Sequence, residues 1–189
     1  MKISKKIVNG MGTTTSALQI ALIAVLTAVV VVFTLIIKIP TPTKGYLNLA
    51  DLAICFIAFT FSPLTAFITG ALGTGLADIL SGFPQWAPIS FIVHGLEGLC
   101  VACIVRRTKE QMKDGLKVPA IKIVFAMIVC MVIVTGGYYV LGATVMSIGW
   151  AAAAAGIPGN VAQAGIGVVI GYALSWSVIK AYPPVQGLL

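Results

Sequence analysis

The chain has 189 residues, of which 59% are hydrophobic and only 9% charged, and its mean hydropathy is +1.07. Polar surface is too scarce for a water-soluble fold, and the net charge of +7 does not signal nucleic acid, because the basic residues sit in junctions between apolar runs and not on one amphipathic face. A helical bundle in a bilayer resolves the shortage, since helices satisfy their own backbone groups while lipid covers the apolar side chains.

In chain order, the basic and polar stretch 1–15 precedes an apolar run too long for a signal-peptide core, which predicts a retained span at about 16–37. It stops at Lys38-Ile39-Pro40-Thr41-Pro42, where two prolines favour an extended loop. A short run at 47–61 ends at Ser62-Pro63, and Pro63 suits the first position of a third span, 63–80. After Ser81–Trp86 a fourth span, 87–105, leads into Arg106-Arg107 and a charged linker to Lys117. A fifth covers 119–141. The Ala/Gly-rich stretch to Asn160 reads as a short helix or re-entrant piece, and a sixth span covers 160–179. The expected fold is an all-α membrane protein, a six-transmembrane-helix bundle forming a single domain over 1–189.

Lys2, Lys5, Lys6, Arg106, Arg107, Lys109, Lys113, Lys117, Lys122 and Lys180 fall on one side, against Lys38 and Lys44 on the other. The positive-inside rule then places both termini in the cytoplasm. Cys55, Cys100, Cys103 and Cys130 lie in apolar runs and read as small buried hydrophobes. The Cys100/Cys103 spacing has no second pair or neighbouring histidine to make it a metal or redox motif.

Ionisable groups inside a membrane are expensive, which singles out Asp51, Asp78, His94 and Glu97. Asp51 and Asp78, near the outer ends of their spans, also suit an interfacial position. His94 and Glu97 share one helix face with Ser90, and Gly95 and Gly98 beside them allow close approach. Asn160 and Gln163 repeat the three-residue spacing at the outer start of span six, although Asn160 after Pro-Gly also suits an N-cap. Asn48, Trp86 and Trp150 add polar and aromatic groups at the outer face, where the tryptophans also suit an interfacial belt. Tyr138 and Tyr139 lie high in span five. Together these groups can converge on an outward-opening pocket. Ala17, Ala21, Ala24 and Ala28 give span one a stripe of small residues suited to close helix contact, and Ala66/Gly70, Ala71/Gly75 and Gly167/Gly171 repeat the spacing. No phosphate-binding loop is present, so energy for uphill transport has to come from another subunit.

The size, the six spans, the alanine stripe and the runs Gly45-Tyr-Leu-Asn-Leu-Ala-Asp51, Gly70-Ala-Leu-Gly-Thr-Gly-Leu-Ala-Asp78 and His94-Gly-Leu-Glu-Gly98 together resemble the substrate-binding S components of energy-coupling factor (ECF) vitamin transporters. The resemblance is nearest the hydroxymethylpyrimidine or pyridoxine branch, with pantothenate and riboflavin as further substrates. It implies a multi-pass protein of the bacterial cytoplasmic membrane that captures a vitamin at its outer face beneath a gating loop, 38–46. The implied ligand contacts are Asn48, His94, Glu97, Asn160 and Gln163, with an aromatic wall to which Trp86 and Tyr139 are candidates. The implied partners are an ECF T component, docked on Ala17, Ala21, Ala24 and Ala28, and two ECF ATPase subunits. Neither catalysis nor a cofactor is expected, and one histidine is too few for a metal centre. The competing classes are an intramembrane enzyme using His94 and Glu97, and a structural subunit that binds nothing.

Overall fold

A computed structural model describes residues 3–41, 43, 45–106 and 117–187, with side-chain surroundings for 17–41, 43, 45–106 and 117–185. Lys2, Pro42, Lys44, Arg107, Lys109 and Lys113 lie outside the described residues, as do the side chains of Lys5 and Lys6. The chain forms α1 (Ile3–Ile36), a two-stranded antiparallel hairpin of β1 (Ile39–Pro40) and β2 (Tyr46–Leu47), α2 (Ala50–Thr60), α3 (Pro63–Leu80), α4 (Ala87–Val105), α5 (Ala120–Thr144), a five-residue α6 (Trp150–Ala154) and α7 (Ile157–Ala181). A 3-10 turn, Pro183–Gly187, ends the described chain.

Among the described residues, five helices are long and apolar enough to cross a membrane. The large apolar side chains they leave exposed, such as Ile20, Leu80, Ile121 and Val132, suit lipid contact. The bundle is thus the expected all-helical membrane architecture. The second crossing differs from its expected form, because α2 has only 11 residues, roughly 16 Å of helix against a hydrocarbon core of about 30 Å.

A short non-helical link, Asn48 and Leu49, joins the hairpin to α2. It drops from the hairpin into the bundle, where its backbone finds protein partners. The Asn48 N–H donates to Gln163 Oε1 at 2.8 Å, and Asn48 Oδ1 accepts from the Ala50 N–H at 2.7 Å. Non-helical backbone is tolerated at membrane depth only when buried and bonded in this way.

The helix starts follow local chemistry. Pro63 stands in the first turn of α3 with Ser62 as its N-cap, whose side chain accepts from the Thr65 N–H. α7 begins three residues earlier than expected, with Pro158 in its first turn and Gly156 as N-cap. Asn160 is therefore not a cap. Its side chain is free for other contacts.

Small residues set the helix spacing. A Cβ on Gly70 would lie 2.6 Å from the His94 carbonyl oxygen, and one on Gly98 would lie 2.6 Å from that of Ala66, so α3 and α4 touch backbone to backbone. Gly167 and Gly171 of α7 meet Asp51 and Cys55 of α2 just as closely. α1 turns Leu26, Thr27, Val30 and Thr34 toward the bundle, while Ala17, Ala21, Ala24 and Ala28 are all exposed. The alanine stripe therefore faces away from its own bundle.

Candidate functional site

The hairpin, the start of α4, the upper part of α5 and the start of α7 enclose a pocket at the end of the bundle that the charge asymmetry assigns to the outside. Its lining includes Tyr46, Asn48, Asp78, Trp86, Ser90, Tyr138, Asn160 and Gln163. Trp86, held at the end of the Ser81–Trp86 loop, is 6% exposed and packs against Tyr138 with ring centroids 5.9 Å apart. Its position in the wall sets it apart from Trp150, which is 53% exposed and stacks on Tyr139.

Two buried polar atoms of the lining have no hydrogen-bond partner, the donor Trp86 Nε1 and the acceptor Asp78 Oδ2. Unpaired buried polar atoms are costly, so the pocket presents a donor and an acceptor to whatever enters. The free space is about 50 Å³, small beside the roughly 300 Å³ or more of a typical ligand pocket. The hairpin or the aromatic wall must give way for a ring-sized ligand.

The hairpin is tied down by Tyr46. Its hydroxyl donates to Asp78 Oδ1 at 2.8 Å and lies 3.3 Å from Ser81 Oγ, its ring packs on Phe83, and the Lys38 ammonium stands 5.5 Å from the ring centre. Burial pushes the Tyr46 hydroxyl well above its ordinary range, with a smaller opposing effect from Ser81 and a further push from the Asp78 charge. It stays a neutral donor.

Beneath the pocket lies a second polar layer. Ser90 and the Tyr138 hydroxyl are 2.6 Å apart, Tyr138 reaches His94 Nε2 at 3.2 Å, and His94 Nδ1 meets Glu97 Oε2 at 2.7 Å. With Nδ1–H donating to the carboxylate, Nε2 is left to accept from Tyr138, which gives a continuous chain from pocket wall to buried acid. Gln163 Nε2 donates to Asp51 Oδ2 while its Oε1 accepts from Asn48, so Gln163 also joins the two layers. Cys55 and Cys130 point their sulfurs at Glu97 Oε1, at 3.6 and 3.4 Å.

The candidate residues fall into three groups. Asn48, Trp86, Asn160 and Gln163 line the pocket, whereas His94 and Glu97 are sealed beneath it and reach it through Tyr138. Tyr139 does not line it. One helical step turns Tyr138 inward and leaves Tyr139 against Trp150, a choice that two adjacent tyrosines in an apolar run cannot reveal.

Asp51 faces neither lipid nor water. It is fully buried beside His94, because the first turn of α2 packs inside the bundle against Gly167 of α7. Cys55 and Cys130 are buried as expected, but Cys100 is half-buried and Cys103 exposed.

A pocket lined by aromatic and polar side chains at one end of a helical membrane bundle fits a solute-binding membrane subunit, and sequence comparison identifies which kind. Residues 14–180 match the family model described as ECF-type riboflavin transporter, S component. The chain belongs to the ECF transporter S-component family, a family of multi-pass membrane transport subunits and not of enzymes. It is similar to a thiamine precursor transporter, HmpT, of Lactococcus lactis subsp. cremoris, at 26% identity over 83% of this chain and 85% of that one. It is also similar to an uncharacterized protein in the gap 3' region of Pyrococcus woesei, at 28% identity over 82% of this chain and 98% of that one.

Proposed function

We propose that this S component captures a small heteroaromatic vitamin precursor of the hydroxymethylpyrimidine or pyridoxine type at the outer face and delivers it to an ATP-driven ECF importer. The observation that carries the reading is the pocket itself: an aromatic wall of Trp86 and Tyr138 faces Asn48, Asn160 and Gln163, and the unpaired Trp86 N–H and Asp78 oxygen stand ready as anchors. An apolar slot with a few converging polar groups suits a flat ring bearing hydroxymethyl and ring-nitrogen groups. The name of the Lactococcus relative supports a thiamine precursor, while the family description makes riboflavin the natural comparison.

His94 and Glu97 act on the ligand through Tyr138, or directly once the floor opens. The 38–46 loop is the gate, latched by Tyr46 on Asp78. The exposed stripe Ala17, Ala21, Ala24 and Ala28 is the docking face for the T component, which carries the two ATPases, because small residues on a lipid-facing helix let a second helix approach closely.

The test is calorimetric titration of the detergent-purified chain with hydroxymethylpyrimidine, pyridoxine, riboflavin and pantothenate. Tightest binding of one of the first two supports the reading. Preference for riboflavin or pantothenate refutes the substrate assignment, and indifference to all four refutes the pocket as a vitamin site.

A further inference from the structure

We infer that the core beneath the pocket holds a divalent, thiol-seeking metal ion of the zinc class, between Cys55 of α2, Glu97 of α4 and Cys130 of α5, with His94 and Asp51 flanking it on the other side of the Glu97 carboxylate. Glu97 belongs to two ligand clusters, one with Cys55 and Cys130 and one with Asp51 and His94, and within each the donor atoms lie within 4.8 Å of one another. Three helices thus aim four metal-ligating side chains at one carboxylate, that of Glu97.

The spacing on the thiol side fits coordination. With zinc–sulfur bonds of about 2.3 Å and zinc–oxygen bonds of about 2.0 Å, a tetrahedral site has a sulfur-to-oxygen edge of about 3.5 Å. Glu97 Oε1 lies 3.6 Å from Cys55 Sγ and 3.4 Å from Cys130 Sγ. The other carboxylate oxygen is held by His94 Nδ1 at 2.7 Å, the kind of outer contact that orients a metal-bound carboxylate.

A second observation is independent of that spacing. Asp51 Oδ1 is buried without a hydrogen-bond partner, 3.9 Å from His94 Nδ1. Two carboxylates share this space with one imidazole, and among the described residues no lysine or arginine is buried. The release of both thiol protons to the aqueous phase makes the entry of a zinc dication charge-neutral, so the second carboxylate is balanced by a proton held at Asp51 and the metal is matched by the two thiolates. Thiols are poor hydrogen-bond donors for a buried carboxylate but good zinc ligands.

All five side chains are at most 1% exposed, so the ion would survive purification. Its role is to fix the floor: through His94 and Tyr138 it would set the position of the pocket wall. This goes beyond the proposed function and does not depend on which vitamin is bound.

The full-length chain, purified in detergent with chelator washes, is assayed by plasma mass spectrometry. About one zinc per chain is expected, falling below about a tenth in the Cys55→Ser/Cys130→Ser double variant, with His94→Gln weakening retention about tenfold or more. Cobalt loading should give thiolate-to-metal charge-transfer absorption that the double variant lacks. A monodisperse wild type that carries no zinc and gives no such absorption overturns the inference without any variant. Full zinc content in a monodisperse double variant overturns it too. Vitamin binding by metal-free wild type removes the metal and leaves the proposed function standing, whereas zinc without vitamin binding does the reverse.

Discussion

The Tyr138 hydroxyl lies 3.2 Å from His94 Nε2 and 2.6 Å from Ser90 Oγ, so one side chain is both the wall of the outer pocket and the lid of the buried acid cluster. Tyr138→Phe keeps the ring against Trp86 but strands His94 and Ser90. The expected cost is about 1 to 3 kcal/mol of ligand binding, roughly fivefold to 150-fold in Kd, read by calorimetry. Tyr139→Phe should leave affinity unchanged, and an equal loss in both variants would remove Tyr138 from the site.

The latch makes a kinetic prediction. Tyr46→Phe loses the 2.8 Å bond to Asp78 but keeps the packing on Phe83. Stopped-flow quenching of tryptophan fluorescence should show ligand release accelerated about tenfold or more, as expected for a hydrogen bond to a charged group. Unchanged release would mean that the hairpin does not gate the pocket.

Close helix contact predicts a contrast between two glycines. Gly167→Ala places a methyl 2.6 Å from Asp51 Cβ, whereas Gly136→Ala meets nothing within 4 Å. The first should destabilise the bundle by about 1 to 3 kcal/mol, seen as a lower midpoint in a detergent thermal scan. The second should leave the midpoint unchanged or raise it, because alanine favours helix over glycine.

Much of this bundle was readable from hydropathy and punctuation. Pro63 marks a helix start, the apolar runs mark α1, α3, α4, α5 and α7, and the His94/Glu97 spacing fixes their shared face. The burial of Asp51 was not readable, since it depends on the link before α2 entering the bundle, held by Gln163 from more than a hundred residues away. Local periodicity carries no record of such a contact. Nor could the apolar runs around Cys55 and Cys130 reveal that both sulfurs meet one carboxylate. That convergence exists only once α2, α4 and α5 pack.

The exposed alanine stripe separates transport from binding. Ala21→Trp or Ala24→Trp should abolish vitamin uptake in cells carrying the ECF module, while the purified variants keep wild-type ligand affinity, because both side chains face away from the bundle. Loss of affinity together with uptake would contradict that orientation.

The central claim is that this S component captures a vitamin precursor in the pocket between Trp86, Tyr138 and Gln163. It is tested most directly by mass spectrometry of the small molecules released when the detergent-purified protein is denatured. A hydroxymethylpyrimidine- or pyridoxine-type compound in near-stoichiometric amount from wild type, and a reduced amount from Tyr138→Phe and Glu97→Gln, is the predicted result. A protein that repeatedly emerges empty and stays empty after incubation with a vitamin panel would contradict it.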